Sequence, residues 1–384
     1  MISIEKIGQK LVKTSYKTDD CIVLLKDLTD EMVEIPACER EKLIQNGVHY
    51  SELLPEENEP SKEYETLYNM ALENSKKDIA KGIAELASMI VNETSEGKKP
   101  ILVSLARAGI PIGVLLKRYI KRAFDIDCPH YAISIIRGKG IDKNAMNFIY
   151  NKEIKANNCN VEDIIFIDGW TGKGMIKHQL NEAVLDLKRE DIKWKNLSSN
   201  LFVLADPANL TKYCATREDY FLPSSCLNST VSGLTSRTIL NSHIDIEEGD
   251  FHGACYFDKF KSIDKSNEFI DTITNEFDEI DKDSLTTEPR EFTSNWNGLE
   301  LTLEIAHNFG VDDFKKIKPG IGETTRVLLR RVPWKVLINK DISIEDKDIQ
   351  HILMLCKEKK VPIERYSLGN YKVVGIIKEL SADA

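Results

Sequence analysis

The run Ile164-Ile165-Phe166-Ile167-Asp168-Gly169-Trp170-Thr171-Gly172-Lys173-Gly174 sets four apolar residues ahead of a carboxylate and a glycine-bearing turn. In an open parallel sheet such a carboxylate arrives at the C-terminal end of its strand, where ligands collect. The Thr171-Gly172-Lys173-Gly174 turn can aim successive backbone N–H groups and a hydroxyl at one anion, with a helix N-terminus behind it. Gly174 stands where a Walker A loop needs Ser or Thr after its lysine, which excludes that motif. The expected ligand is therefore a phosphate on the turn, with Asp168 beside a sugar hydroxyl.

Further turns repeat the theme. Ser104-Leu105-Ala106-Arg107-Ala108-Gly109 follows a buried apolar run, and an arginine between small residues can bring guanidinium and backbone amides onto one pyrophosphate. Arg137-Gly138-Lys139-Gly140 is another basic, glycine-bearing turn. Leu204-Ala205-Asp206-Pro207 delivers a second strand-end carboxylate, suited to Mg²⁺ or to accepting a proton, or simply to starting an Asp-Pro turn. Arg217 follows in Thr216-Arg217-Glu218-Asp219, and the hydroxyl-rich run from Pro223 to Thr238 is suited to lining a pocket.

These turns need a scaffold. Ile101–Leu105, His130–Ile136, Ile164–Ile167 and Leu201–Ala205 are short apolar runs, alternating with helical patterns over Pro111–Ala123 and Met175–Leu187. That rhythm predicts a parallel sheet with helices on its faces. Residues 1–98 read as an annex whose apolar positions between Ser61 and Val91 mark one or two amphipathic helices. The sheet domain spans 99–275, an acid-rich connector 276–312, and a small α/β unit 313–384. In that last unit the pattern predicts a helix over 322–331, a strand over 334–338, a helix over 346–359 and closing strands over 363–366 and 373–377.

The chain has 384 residues and a net charge of -10, yet residues 315–384 carry 15 Lys and Arg against 9 Asp and Glu, a local balance of +6. Nucleic-acid binding, if any, belongs to that unit. The longest apolar stretch, 101–116, is too short and too charged to span a bilayer, and residues 1–10 lack a signal-peptide core. The reading is a cytoplasmic protein without a membrane, with homo-oligomerisation left open. Eight cysteines include no CxxC pair, so neither a zinc site nor a disulfide framework is expected.

The Asp168–Gly174 and Ser104–Gly109 loops resemble the phosphoribosyl-pyrophosphate (PRPP) and pyrophosphate loops of type I phosphoribosyltransferases, with Gly169 in place of the usual second acid. Together with His49-Tyr50-Ser51-Glu52, His130-Tyr131, the Asp206 and Arg217 runs and Phe251-His252-Gly253, they resemble a bacterial phosphoribosyltransferase-like family. Its members occur near tellurite-resistance and stress genes and also carry the label cysteine protease StiP. The resemblance implies a PRPP- and Mg²⁺-dependent transfer of ribose 5-phosphate to a base-like acceptor. Arg107, Asp168 and Asp206 would be catalytic, with Asp206 reaching the metal. Ser104, Ala106, Ala108, Gly109, Arg137, Lys139, Gly169, Thr171, Gly172, Lys173, Gly174 and Arg217 would hold substrate.

Two other readings compete. In one, the pocket only senses PRPP or a nucleotide while the tail binds RNA. In the other, Cys226 is a nucleophile with His252, 26 residues on, as its base. The tail run Gly320-Ile321-Gly322-Glu323-Thr324-Thr325-Arg326 resembles the Pelota and ribosomal L30-like RNA-binding fold. Gly322, Thr324, Thr325, Arg326 and Arg330 would then face structured RNA.

Overall fold

The structure, a computed structural model, describes residues 8–220, 222–240, 249–292 and 297–378. The side chains of Cys226 and Arg330 lie outside the described set. The sheet domain is built from β1 (Ile22–Val23), α1 (Lys62–Glu93), β2 (Ile101–Leu105), α2 (Gly109–Phe124), β3 (His130–Ile133), β4 (Ile164–Trp170), α3 (Met175–Glu190), β5 (Leu201–Ala205) and β6 (Cys214–Thr216). The strands lie in the order β1-β3-β2-β4-β5-β6, and every pairing is parallel. Such strands must be covered on both faces, which explains their unbroken apolar runs.

One face is covered by α1 and α2. The spacing of apolar residues from Tyr64 to Ile90 forms one helix of 32 residues, capped by the Ser61 hydroxyl on the Tyr64 N–H. Ile79, Ile83, Leu86 and Ile90 are fully buried with Ile112, Leu115 and Leu116 of α2. The other face is covered by α3, where Leu180, Val184 and Leu187 meet Phe166, Val203 and Trp194. Each such side chain, fully buried, is worth about 1.5–3 kcal/mol.

Shorter helices of this domain include α4 (Pro223–Cys226) and α5 (Ser266–Asn275). The acid-rich stretch 264–291, which runs from α5 into the connector, is anchored in the core. Its apolar residues Phe269, Ile270, Ile273 and Phe277 are buried in the same core as α1 and α2, while Asp271 faces outward to pair with Arg118.

The C-terminal unit comprises α6 (Gly298–Asn308), β7 (Ile317–Pro319), α7 (Ile321–Arg330), β8 (Pro333–Asn339), α8 (Gln350–Lys359), β9 (Ile363–Tyr366) and β10 (Val373–Ile377). Its sheet has the order β7-β10-β8-β9 and is mixed, with only β8 and β9 parallel. Ile305 of α6 packs on Ile317, Leu337, Val374 and Ile376. On the opposite face Leu328, Ile338, Ile352 and Val373 join the apolar core that includes α1 and α2. The molecule is thus a mixed α/β protein whose C-terminal unit is packed onto a parallel-sheet domain. Among the described residues no helix is long and apolar enough to cross a membrane.

Candidate functional site

The strand-end turns do gather along one edge of the parallel sheet, but the side chains there differ sharply in what they already hold. Asp206, at the end of β5, is fully buried. Its Oδ1 accepts from the Thr171 hydroxyl at 2.5 Å, and its Oδ2 accepts from the Leu210 and Thr211 N–H groups at 2.8 and 3.0 Å and from Arg217. Arg217 in turn donates to the Arg290 and Glu291 carbonyls. Both oxygens are saturated, so Asp206 does not fit as a Mg²⁺ ligand or proton acceptor, and Arg217 does not fit as a substrate contact. Among the described residues no group of three or more His, Cys, Asp or Glu could hold a metal ion.

Asp168, at the same edge, is the opposite case. It is 9% exposed, and its Oδ1 accepts from the next N–H, that of Gly169, at 2.8 Å. Burial pushes its carboxyl up to about 7, against the pull of Gly169 and the more distant Arg326. Gly169 has a packing reason: a Cβ there would lie 3.3 Å from the Ala108 carbonyl oxygen. The close approach of the Ala106–Gly109 loop to β4 makes any side chain at this position tight.

Around Arg107 lies a network that sequence order hid. Its guanidinium donates to Glu57 Oε1 and to the Thr235 carbonyl, each at 2.8 Å. The other Glu57 oxygen accepts from the Ser229 N–H and hydroxyl at 3.1 and 2.7 Å. Burial alone would raise the Glu57 carboxyl, but Arg107 and Ser229 outweigh it and hold it below its ordinary value. Arg107 is thereby a strut between segments 57, 107 and 229–235. Ser104 serves similarly: its fully buried hydroxyl donates to the Gly109 carbonyl at 3.0 Å and meets His130 Nε2 at 2.8 Å.

Next to this strut is a cluster of cations. Arg137 and Arg237 lie 5.2 and 4.4 Å from the centroid of the Tyr50 ring, whose hydroxyl accepts from the Arg137 N–H at 2.9 Å. Burial, with Arg107, Arg40 and Arg137 nearby, brings Arg237 down to about 10. Lys139 is exposed on the same turn. Burial and Lys139 also hold His49 below its ordinary value. Tyr50 and Arg237 could not have been joined to Arg137 by motif, because their positions are far apart in sequence.

The turn after β4 is covered by the C-terminal unit. Lys173 donates to the Phe314 and Ile317 carbonyls at 2.8 and 3.1 Å, and the Tyr371 hydroxyl donates to the Gly172 carbonyl at 2.5 Å. Burial, then Lys318 and Arg137, bring the Lys173 amine down to about 7. Gly174, with φ +92°, sets the start of α3. The Thr171 hydroxyl is spent on Asp206 and the Lys173 amine on the C-terminal unit, so neither side chain is left facing an open phosphate site.

The tail residues expected at RNA point inward. Arg326 donates to the Ser225 carbonyl at 3.0 Å and to Glu323 at 2.8 Å, and lies 5.1 Å from the Trp170 ring centroid. A Cβ on Gly322 would come within 2.7 Å of the Ser225 hydroxyl oxygen. Thr324 and Thr325 are fully buried, donating to the Lys318 and Ile321 carbonyls, and Thr325 also meets His351. Arg330 has no described side chain. As for the thiol pair, Cys226 ends α4, and His252 is held with Nδ1 2.8 Å from the Ser134 hydroxyl and its N–H on Asp142. No described contact joins His252 to α4.

Comparison with known proteins changes the chemical reading. Residues 14–274 match the family described as Tellurite-like stress resistance cysteine protease StiP, and residues 296–379 match the PELOTA RNA binding domain. Cysteine protease StiP of Acinetobacter baylyi is 31% identical over 378 residues, spanning 95% of this chain and 94% of that protein. The expected PRPP-dependent glycosyltransferase is contradicted by those cysteine protease names, and nothing in the comparisons supports PRPP or a base-like acceptor as a partner. The geometry agrees, since Thr171, Lys173, Asp206 and Arg217 are committed to internal partners. Matched over most of its length, and carrying a Pelota-type C-terminal unit, the chain belongs to the StiP family of tellurite-like stress resistance cysteine proteases.

Proposed function

We propose that the chain is a thiol-dependent peptide hydrolase with Cys226 as nucleophile, joined to an RNA-binding C-terminal unit. The observation that carries the assignment is the state of the other cysteines. Cys21, Cys128, Cys159, Cys214, Cys255 and Cys356 are all buried. Burial pushes every one of these thiols up: Cys128, Cys214 and Cys255 to about 12, Cys356 to about 11, Cys159 above its ordinary value and Cys21 furthest. A nucleophilic cysteine needs a thiolate and a path to substrate, and these six have neither. Of the eight cysteines only Cys38 and Cys226 remain.

Cys226 is the better placed of the two. It lies between Ser225, which touches the C-terminal unit, and Ser229, which bonds Glu57 of the Arg107 strut. The thiolate would attack a peptide carbonyl carbon, forming a C–S bond while the C–O π electrons move to oxygen. Collapse would break the C–N bond, the amine leaving with a proton, and water would then cleave the thioester to regenerate the thiol. His252 is the base in this proposal. Burial holds it below its ordinary value despite Asp142, so it is neutral and able to accept a proton at pH 7.

The test is hydrolysis of fluorescent casein and a peptide library by the intact chain. Cys226→Ala should abolish turnover, Cys38→Ala should leave it, and His252→Gln should lower kcat more than KM changes. Turnover surviving in Cys226→Ala would remove the assignment.

A further inference from the structure

We infer that the C-terminal unit is docked in a closed state that masks its own RNA-facing surface, so that RNA and the sheet domain compete for the start of α7. The contact is specific. The Asp219 carboxylate, 5% exposed, accepts from the Ile321 N–H at 3.0 and 3.2 Å and from the Lys372 N–H at 2.9 Å. Ile321 is the first residue of α7, and Gly320 before it has φ +92°. Free N–H groups at a helix start are where a phosphate oxygen would be held. In the closed chain that place belongs to an internal carboxylate.

The neighbouring groups are committed in the same way. Arg326, the cation best placed to meet a phosphate beside Ile321, is held by Ser225, Glu323 and the face of Trp170. Gly322 sits against Ser225 too closely to admit a Cβ, let alone a nucleotide. Lys173 and Tyr371 close the far side of the contact. The electrostatics favour exchange of one anion for another: the +6 unit rests on 314 residues whose balance is -16. A polyanion would satisfy the same cationic surface, and its binding would require the unit to leave Asp219, Ser225 and Trp170.

A second consequence rests on the thiol reading. Ser225 precedes Cys226, so release of Arg326 would free the chain beside the nucleophile, making RNA an activator of hydrolysis. The masking itself needs no hydrolysis and is tested without it.

The intact chain is titrated with unfractionated transfer RNA in an electrophoretic mobility assay, as wild type, Asp219→Ala and Trp170→Ala. A closed fraction that must open first lowers apparent affinity by the open fraction, so both variants should bind about tenfold tighter or better. Circular dichroism checks their folding, and Trp170→Ala serves if Asp219→Ala does not fold. In the wild type, transfer RNA should speed hydrogen exchange of residues 170–174 and 219–225. Equal affinity in all three proteins, RNA bound with that exchange unchanged, or no RNA binding by any of them would overturn the inference. A failure of the thiol reading would show separately, as casein hydrolysis unaffected by Cys226→Ala.

Discussion

Two glycine-bearing turns leave the same edge of the parallel sheet with nearly the same composition, and they have opposite fates. The turn at Arg137-Gly138-Lys139 closes a short hairpin between Ile135–Ile136 and Gly140–Ile141, and Gly138 and Lys139 are exposed. The turn at Thr171-Gly172-Lys173-Gly174 lies under the C-terminal unit, with the Thr171 hydroxyl held by Asp206, the Gly172 carbonyl by Tyr371 and the Lys173 amine by the Phe314 and Ile317 carbonyls. A run of hydroxyl, glycine and lysine can bind an anion or a second domain equally well, because both offer oxygen acceptors. What separates the cases is whether another part of the chain supplies those acceptors first.

The covered turn should therefore be far more sensitive to change. Asp206→Ala would leave Arg217 buried beside unpaired Leu210 and Thr211 N–H groups. Breaking such a buried pair costs about 3–5 kcal/mol, to be read from urea denaturation. A loss below 1 kcal/mol would show that this turn is not held as described.

Stability should also vary with pH through groups in and beside the covered contact. Asp168 and Asp219 are each raised by burial to about 7, so the folded chain binds their protons where the unfolded chain, near 4, has released them. Their contribution is full below about pH 4 and is lost as pH rises through 7. Lys173, brought down to about 7, acts in the other direction. The unfolded chain there holds the extra proton, so stability rises from pH 7 toward the ordinary lysine value of about 10.4. Asp219→Asn should flatten the acid limb and Lys173→Met the alkaline one, in denaturation series across pH.

Tyr371→Phe removes the hydroxyl that donates to the Gly172 carbonyl and should cost about 1–2 kcal/mol. Arg137→Ala, in the open turn, should change stability by less than about 0.5 kcal/mol. If these last two variants had equal effects, the contrast between the turns would be false.

Much of the scaffold was legible in the sequence. Leu201–Ala205 and Val373–Ile377 are strands with the bounds that their apolar runs suggest, since a buried strand must be apolar, and the mostly exposed Ile363–Tyr366 is a strand at the expected bounds as well. The edge strands Ile22–Val23 and Cys214–Thr216 have two and three residues, too few to carry a period. The site was legible only in part. Arg107 and Arg137 stand at strand ends in the sequence reading, but their surroundings come from distant segments: Glu57 and Thr235 hold Arg107, while Tyr50 lies against Arg137 and Arg237. Asp206 and Asp168 look alike in sequence, both strand-end carboxylates, and only the fold shows that one is saturated and the other nearly unpartnered. Gly322 and Arg326 suit a phosphate backbone, and for the same reasons of close approach and bidentate donation they suit Ser225 and Trp170.

The docking of the C-terminal unit on the Thr171–Gly174 turn is tested most directly by acylating the intact chain at pH 8 and following Lys173 and Lys139 by mass spectrometry. A free amine with a value near 7 would be mostly unprotonated at that pH and among the fastest to react. The account expects the reverse: Lys173, covered by Phe314 and Ile317, stays unmodified while exposed Lys139 is acylated. Modification of Lys173 as fast as or faster than Lys139 would contradict the docked arrangement.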